Sequence, residues 1–234
     1  MAISDDHRFE PIGVLHSPFR DKFGIPRQAG LAPVETRLEL FSPYNRPEAL
    51  AGLESFSHVW LQFVFHRIPR NAWKPSVRPP RLGGNQRVGV FASRSPFRPN
   101  RLGLSLVRLL SLDESGAGLR LLGADLLDGT PVLDIKPYLP WAEAPPDAEA
   151  GWAGAPPRRL AVRFSPRAEA ALAARAGKIT PELLSDLLSL DPRPAYHQVS
   201  SREYGMRFGD LEIKWRVDER GVWVSAVDST TDSH

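Results

Sequence analysis

The sequence predicts a mainly β protein, with a small β-barrel N-terminal domain followed by a small α+β C-terminal domain. The 234 residues include 23 prolines, about twice the average usage of ~5%, and proline interrupts long helices and central strands. Short segments rich in β-branched and aromatic residues follow one another through the first two-thirds of the chain. No glycine-rich fingerprint follows a predicted strand and there is no P-loop, so a nucleotide-binding α/β fold is not supported.

The N-terminal elements come from patterns of alternation and from proline positions. The segment between the first two strands, residues 20–33, reads as a long loop, and Pro47 opens a short helix to Leu53. Five or six strands with short connections fit a closed or nearly closed barrel, or a sandwich. The predicted strands are residues 9–19, 31–41, 57–67, 87–93, 102–112 and 118–129.

A change of composition predicts the domain boundary. Residues 142–158 mix alanine, glycine, proline and acids, which is typical of a linker. We therefore expect a barrel domain at 1–141 and a second domain at 159–234. The second domain should contain a strand at 160–166, helices opened by Ser165–Pro166 and Thr180–Pro181, and a hairpin turning at 218–221.

The overall composition excludes several classes of protein. Hydrophobic residues make up 42% and charged residues 24%, as in ordinary globular proteins. The absence of cysteine excludes disulfide scaffolds, thiolate metal sites and cysteine nucleophiles. No apolar run approaches the ~20 residues of a membrane span, and the first residues carry acids where a secretory signal is basic. We expect a soluble, cytoplasmic protein with no membrane partner.

Charge is distributed very unevenly along the chain. Residues 55–112 contain no carboxylate side chain and ten bases, so this segment carries +10 while the rest of the chain carries −7, against a net charge of +3. Nine of the ten bases are arginine, which binds phosphate bidentately and stacks on bases. The ten are Arg67, Arg70, Lys74, Arg78, Arg81, Arg87, Arg94, Arg98, Arg101 and Arg108.

The aromatic residues Trp73, Phe91 and Phe97 are interleaved with these bases. Arginine combined with aromatic rings is how proteins bind single-stranded RNA, with charge along the backbone and stacking on the bases. The pattern favours an anionic partner, and a nucleic acid in particular. The alternative is a solvated basic face that pairs with acids elsewhere in the fold.

Candidates for chemistry are few. His58 and His66 lie eight residues apart in one predicted strand and should face the same side, but no carboxylate nearby completes a metal site, so no metal is expected. His66 reads as a core histidine or as a hydrogen-bonding residue at the strand end. Serine hydrolysis has no local signature either.

The segment DGTPVLDIKPYLP (128–140) is the most polar part of an otherwise apolar strand pair. Its first four residues read as a turn. Asp134, Lys136 and Tyr138 then follow at period two, so they project from one face. Such a stripe suits the wall of a polar cleft better than a core. Further along, DPRPAY (191–196) presents Arg193 and Tyr196, either as a rigid helix stop or as a recognition loop.

Seven motifs in order resemble one known family. Together they resemble the bacterial tRNA N6-methyltransferases that act on N6-threonylcarbamoyladenosine beside the anticodon, and the match spans about residues 9–218. The motifs are IGVLHSPF (12–19), PRQAG (26–30), GLESFSHVWLQFVFH (52–66), VRPPRLGG (77–84), GVFASRSPFRPNRLG (89–103), DGTPVLDIKPYLP (128–140) and DPRPAY (191–196).

The resemblance implies properties that composition does not show. The family has a small β-barrel, uses S-adenosylmethionine, and works as a homodimer with the C-terminal domain near the partner's site. Its substrate is a tRNA, mainly threonine tRNA, with the threonylcarbamoyl group on the adenosine immediately 3′ of the anticodon. The rival interpretations are a non-catalytic β-barrel RNA-binding protein and a small-molecule methyltransferase on the same fold.

The resemblance also implies site residues. Tyr138 would stack on or hydrogen-bond the target base, with Asn100 and Lys136 beside it, and Arg98, Arg193 and Tyr196 would hold the threonyl carboxylate or anticodon-loop phosphates. Two departures from the family pattern are Ala29 in place of proline and Arg101–Leu102 in place of Pro–Ile. The cofactor residues would be Gln28, Ala29, Gly30, His66, Arg67, Arg94, Leu104, Asp128, Gly129 and Thr130.

Overall fold

The structure is a computed structural model that describes residues 8–175, 177, 179–193 and 202–230. Its helices are α1 (Pro47–Leu50), α2 (Pro140–Glu143), α3 (Pro166–Ala173) and α4 (Pro181–Leu188). Its strands are β1 (Gly13–His16), β2 (Glu35–Leu40), β3 (His58–Val64), β4 (Ser76–Val77), β5 (Val88–Gly89), β6 (Leu102–Leu112), β7 (Gly118–Leu122), β8 (Thr130–Pro137), β9 (Val162–Phe164), β10 (Tyr204–Phe208), β11 (Leu211–Asp218) and β12 (Gly221–Ser229).

Six strands close into a barrel in the order β1-β2-β7-β6-β3-β8, with β8 returning to β1. Every neighbouring pair is antiparallel. In β3, Leu61 lies opposite Ser105 on one side and Ile135 on the other. The predicted barrel is confirmed, and a sandwich is excluded.

The barrel interior explains why these segments are strands. β3 alternates strictly between half-buried and buried residues, so one face of the strand packs inward and the other turns outward. Leu15, Leu38, Leu61 and Leu119 are fully buried in the resulting core. The residues that alternate with them on β3 and β6 are therefore available on the outer face.

The predicted strand at 87–93 is wrong. Only β5 forms there, and it pairs with β4 in a small two-stranded sheet apart from the barrel. A short 3₁₀ turn then follows at Val90–Ala92, and the Val90 amide donates to the Pro75 carbonyl at 3.0 Å. Residues 66–101, which we call the basic loop, thus lie outside the barrel and carry nine of the ten clustered bases.

The C-terminal unit has a four-stranded sheet in the order β10-β11-β12-β9, with β9 parallel to β12. Helices α3 and α4 begin where the sequence predicts. The side chains of Ser165 and Thr180 accept hydrogen bonds from the amides of Ala168 and Leu183, which caps each helix. The predicted hairpin is confirmed as β11–β12. None of the described helices is long and apolar enough to cross a membrane.

The connection between β1 and β2 packs against the C-terminal sheet rather than into the barrel. Phe19 and Phe208 form an isolated bridge with ring centroids 5.3 Å apart, and Phe23 stacks on the buried Trp215 at 5.5 Å. Ala32 and Val34 belong to the same core. The loop predicted at 20–33 is confirmed as a connection, and its apolar residues complete the core of the other unit.

Candidate functional site

A cavity of about 620 Å³ lies where the outer face of β3 and β6 meets the β1–β2 connection and the C-terminal unit. Its volume is in the range of small-molecule sites. Half of the cofactor residues expected from the family resemblance line it: Gln28, Ala29, Gly30, Arg94 and Leu104. They come from three separate parts of the chain, which the fold brings together.

The floor of the cavity is the outward face of two paired strands. His58 lies opposite Arg108, and Trp60 lies opposite Leu106, and all four line the cavity. Leu104 is 51% exposed. The floor therefore offers rings and an aliphatic surface on which a planar or apolar ligand group can pack.

The loop that forms one wall is held close to the barrel by two glycines. The Gly30 amide donates to the Gly123 carbonyl at 2.8 Å. Both residues have positive φ, 77° and 84°, and a Cβ on Gly123 would come within 3.2 Å of the Gly30 Cα. Only glycine permits this close approach with little strain. The approach places the backbone of residues 28–30 against the cavity.

Arg94 joins this wall to the basic loop. One of its guanidinium nitrogens donates to the Gln28 Oε1 at 2.5 Å, while the Gln28 amide nitrogen donates to the Arg27 carbonyl. Arg94 is exposed. Because a neutral amide accepts from it, the positive charge of Arg94 is retained at the cavity.

Asp125 lies next to the cavity and was missed by sequence reasoning. Its carboxylate accepts a hydrogen bond from the Ser105 hydroxyl at 2.5 Å, and Ser105 lines the cavity. Burial raises the pKa of Asp125, while the Ser105 hydroxyl, the backbone amides of Asp125 and Ala29, and the charge of Arg94 counteract the rise. An acid between Ala124 and Leu126 in the mostly apolar run LLGADLL (121–127) was the available signal.

The C-terminal unit contributes Arg159 and Asp186 to the cavity, and sequence reasoning missed these residues too. The Arg159 guanidinium donates to the Leu31 carbonyl at 2.5 Å and to the Ser189 hydroxyl at 2.8 Å. It also lies 3.8 Å from a carboxylate oxygen of Asp186. Arg159 therefore ties the loop that forms the cavity wall to the end of α4.

The other five expected cofactor residues, His66, Arg67, Asp128, Gly129 and Thr130, are outside the lining of this cavity. They lie at the end of the barrel where β3 stops and β8 starts. Asp128 accepts a hydrogen bond from the Ser17 amide at 2.9 Å and another from Arg20. Thr130 is 3% exposed, and its hydroxyl donates to the Leu127 carbonyl at 2.6 Å.

The expectation that His58 and His66 share one strand face is wrong, because β3 ends at Val64. His66 lies in the turn that follows. Its pKa is lowered, first by burial and then by the charges of Arg67 and Lys22. Among the described residues, no group of three potential ligands could hold a metal ion.

Tyr138 follows β8 and reaches the aromatic end of the cavity floor. Its ring meets His58 and Trp60 edge-on, with centroids 6.5 and 5.9 Å apart. The Trp60 indole donates to Glu143 at 2.8 Å, which fixes that ring. Lys136 lies opposite Trp60 in the strand register and is exposed. Tyr138 and Lys136 therefore flank the same aromatic cluster.

Asn100 and Arg98 occupy the end of the basic loop just before β6. Asn100 is exposed and precedes Arg101, which has a φ of 52°. The Arg98 guanidinium donates to the carbonyls of Val90 and Ser93 at 3.1 and 2.7 Å. Arg98 thus links the end of the basic loop to the turn at residues 90–93.

The described part of DPRPAY has the geometry of a helix stop. Asp191 has a φ of 49°, and its two carboxylate oxygens accept from Arg193 at 2.7 and 2.8 Å. The Arg193 side chain is 17% exposed, and this hydrogen bonding raises its pKa. Tyr196 lies outside the described residues.

In the part of the chain that the structure describes, none of the clustered bases forms an ion pair with an acid. Every ion pair found there joins residues outside 55–112. Within the segment, guanidinium groups donate instead to neutral oxygens, as Arg101 does to the Ile68 carbonyl at 2.7 Å. The alternative that this segment pairs with acids elsewhere in the fold is wrong for these residues.

Comparison with known proteins finds close relatives along the whole fold. Residues 14–144 match the family model of the tRNA-methyltransferase O N-terminal domain, and residues 157–230 match that of the TrmO C-terminal domain. The chain is 46% identical over 230 residues to the tRNA (adenine(37)-N6)-methyltransferase of Escherichia coli, covering 94% of this chain and 97% of that protein. It is 49% identical over 214 residues to a Pseudomonas aeruginosa protein named as a putative S-adenosylmethionine-dependent methyltransferase, covering 89% and 92%.

Solved structures agree with the sequence matches. The crystal structure of TrmO from Pseudomonas aeruginosa superposes with a TM-score of 0.80 at 41% identity, covering 95% of this chain and 98% of that one. The two family models together cover the barrel and the C-terminal unit in the order in which they occur here. The chain belongs to the TrmO family of tRNA methyltransferases.

Proposed function

We propose that this protein is an S-adenosylmethionine-dependent tRNA methyltransferase that N6-methylates the threonylcarbamoyladenosine immediately 3′ of the anticodon, mainly in threonine tRNA. The observation that carries the proposal is the meeting of Gln28, Ala29, Gly30, Arg94 and Leu104 in one cavity, bordered by a basic loop whose bases form no ion pair with any acid that the structure describes. Relatives that match nearly the whole chain are named tRNA (adenine(37)-N6)-methyltransferases and S-adenosylmethionine-dependent methyltransferases.

The cavity suits S-adenosylmethionine chemically. Arg94 retains its charge there and can bind the carboxylate of the methionyl group. The backbone of residues 28–30 offers polar groups, and Leu104 and Trp60 offer apolar and aromatic surface for the adenosine part. When bound, the cofactor supplies a sulfonium methyl group as the electrophile.

His66, Arg67, Asp128, Gly129 and Thr130 are proposed to complete the cofactor site from the end of the barrel. Asp128 is held by Ser17 and Arg20, so its carboxylate is fixed for a ligand ammonium or hydroxyl. The lowered pKa of His66 keeps its imidazole neutral at pH 7. A neutral imidazole can accept a hydrogen bond, which an imidazolium cannot.

Tyr138 is proposed to contact the target adenine, with Asn100 and Lys136 beside it. The ring of Tyr138 extends the aromatic cluster of His58 and Trp60, which can stack an unpaired base. The lone pair of the reacting nitrogen is delocalised into the purine and the carbamoyl group, so removal of its proton raises its nucleophilicity. Holding the base in place supplies much of the remaining acceleration.

Arg98, Arg193 and Tyr196 are proposed to bind the threonyl carboxylate or anticodon-loop phosphates. The contacts of Arg98 with Val90 and Ser93, and of Arg193 with Asp191, hold the loops that present them. Arginine keeps further donors after such contacts.

The oligomeric state and the roles of the domains are also proposals. We propose a cytoplasmic homodimer, in which residues 1–141 form the methyltransferase barrel, 142–158 the linker and 159–234 a C-terminal domain near the partner's site. Partly exposed leucines on β6 that do not line the cavity, Leu102 and Leu110, offer apolar surface that association can cover.

The deciding experiment measures methyl incorporation from labelled S-adenosylmethionine into two tRNA pools, one with the threonylcarbamoyl group and one without it. Transfer only into the modified pool is expected. Transfer into neither pool, with cofactor binding intact, would indicate a small-molecule methyltransferase. If the cofactor neither binds nor raises the Tm, an RNA-binding protein without chemistry would remain.

The target-base assignment has its own test. Tyr138→Phe and Asn100→Ala are each expected to lower the single-turnover methylation rate by about tenfold or more, because positioned donors and acceptors contribute on that scale. The Kd for S-adenosylmethionine should stay unchanged, since both residues lie outside the cavity lining. Full methylation rates in both variants would refute the assignment.

A further inference from the structure

Phe91 is a large apolar side chain held in solvent. It lies in the 3₁₀ turn Val90–Ala92 of the basic loop and is 76% exposed. A single exposed aromatic ring is ordinary on a protein surface, so exposure alone carries no inference. The surroundings of the ring are what distinguish it.

A cation is fixed against the Phe91 ring. The guanidinium carbon of Arg98 lies 5.7 Å from the ring centroid, within the range of a cation–π contact. The same guanidinium donates to the carbonyls of Val90 and Ser93, which flank Phe91 in sequence. Arg98 therefore supports the ring while its charge stays uncancelled, because neutral oxygens accept its hydrogen bonds.

The turn that carries Phe91 is braced on several sides. The Val90 amide donates to the Pro75 carbonyl at 3.0 Å, and the Ser93 hydroxyl donates to the Val90 carbonyl at 2.8 Å. The Trp152 indole donates to the Ala92 carbonyl at 3.2 Å. The ring is thus preorganised in an exposed position, which reduces the entropic cost of binding to it.

The position of the ring relates it to the cavity. Arg94, three residues after Phe91, lines the cavity and bonds Gln28 there. A second ring of the same loop repeats the arrangement, since the Lys74 ammonium lies 4.7 Å from the centroid of Phe97. Two aromatic rings of the basic loop are therefore backed by cations, and Phe91 lies three residues from a residue that lines the cavity.

We propose that Phe91, backed by Arg98, is a stacking platform for an unpaired anticodon-loop nucleotide that flanks the adenosine to be methylated. The inference rests on the proposed function and deepens it, because it names where the RNA beside the target base is held. An unpaired nucleobase of any identity presents a π face that can stack on Phe91. The arginine and lysine side chains around the ring complement the charge of the RNA phosphates. An apolar protein surface fits poorly, since the segment carries +10.

The test compares three substitutions at Phe91 by their Kd for an anticodon stem–loop RNA at fixed salt. Phe91→Ala is expected to weaken binding about tenfold, as loss of one base stack does. Phe91→Leu should weaken it nearly as much, because it keeps apolar bulk without a π face. Phe91→Trp should retain or improve the wild-type Kd.

Three controls make the result specific. Phe9→Ala removes a ring that is 72% exposed outside the basic loop and should leave the Kd unchanged. A fully paired RNA duplex should bind the wild type and Phe91→Ala equally. The salt dependence of binding should also stay the same, because no charge is removed.

A wild-type Kd for the RNA in Phe91→Ala, or in Phe91→Leu, would refute the proposal that a base stacks on Phe91. Failure of the proposed function is recognised separately, by the absence of methyl transfer from the wild-type protein to modified tRNA. Loss of RNA binding in Phe91→Ala without methyl transfer by the wild type would support the platform and refute the proposed function. An unchanged Tm and an unchanged Kd for S-adenosylmethionine exclude misfolding as the cause.

Discussion

Arginines of the C-terminal unit and arginines of residues 55–112 differ in the groups that accept their hydrogen bonds. In the C-terminal unit, one guanidinium nitrogen of Arg163 donates to both carboxylate oxygens of Asp218 at 2.7 and 2.8 Å, and Arg167 pairs with Asp228 at 2.7 Å. In the acid-free segment, Arg98 and Arg101 donate to backbone carbonyls. Both sets of contacts order the chain.

The difference lies in the charge that remains. A carboxylate partner cancels the positive charge of an arginine, whereas a carbonyl partner leaves it in place. Arg163 and Arg167 therefore tie a strand and a helix of the C-terminal unit to its sheet, and the segment 55–112 keeps a field that attracts anions. The same residue type supports the fold in one region and remains available for a ligand in the other.

Removing three exposed bases from the acid-free segment should have the largest effect. In the triple variant Arg70→Gln, Arg78→Gln and Arg87→Gln, tRNA affinity should fall by up to about a hundredfold at low salt, because each exposed contact between opposite charges is worth up to about 1 kcal/mol and every ~1.4 kcal/mol is tenfold in affinity. The slope of log K against log salt should decrease by about 2. Binding titrations at several salt concentrations measure both quantities.

The matched control neutralises paired arginines. Arg167→Gln together with Arg175→Gln removes two ion pairs of the C-terminal unit and should lower the Tm slightly while tRNA affinity and its salt slope stay near wild type. If the control lost as much tRNA affinity as the triple variant, the contrast between the two regions would be wrong.

Asp125 lies in neither region, but its carboxylate is near Arg94 of the acid-free segment. Its raised pKa means that the folded state binds the proton more tightly than the unfolded state, so this group lowers stability as pH rises through the window above the ordinary aspartate value. Asp125→Asn lacks this contribution. Relative to wild type, its free energy of unfolding should increase from pH 4 to pH 8, as measured by denaturant unfolding. A pH-independent difference would contradict the prediction.

The smallest effect is expected at Asp218, whose pKa is lowered mainly by the hydrogen bond from Arg163. A lowered pKa stabilises the folded state above the ordinary aspartate value, and the contribution is lost as pH falls through the folded pKa. Asp218→Asn should therefore have a slightly lower Tm than wild type at pH 7, and this difference should shrink as pH falls below the ordinary aspartate value. Its tRNA affinity should not change, and a weakened affinity would show that paired arginines also serve binding.

Much of the fold follows from local pattern. β6 occupies the predicted residues 102–112, and Ser165 and Thr180 cap α3 and α4 as expected. The predicted strand at 87–93 failed because the β-branched and aromatic residues Val88, Val90 and Phe91 do not show whether a partner strand is near. No barrel strand pairs with this segment, and β5 ends after two residues.

The candidate site was predictable only in part. Gln28, Ala29, Gly30, Arg94 and Leu104 were identified through the family resemblance, and the structure brings them together. Sequence patterns did not identify Asp125, Arg159 and Asp186, because the roles of these residues depend on contacts across the fold. Arg159 contacts Leu31 over 128 residues of chain, and no spacing rule reports such a pair.

The contact between Phe19 and Phe208 has a consequence for the order in which the protein is made. A ribosome adds residues from the N-terminus at about 5–20 per second, so Phe19 and Phe23 emerge well before the strands that bury them. The wall of the cavity that follows them in sequence therefore lacks the support of the C-terminal sheet until β10 and β11 have left the ribosome. During synthesis, a closed barrel can exist before it can bind its ligand.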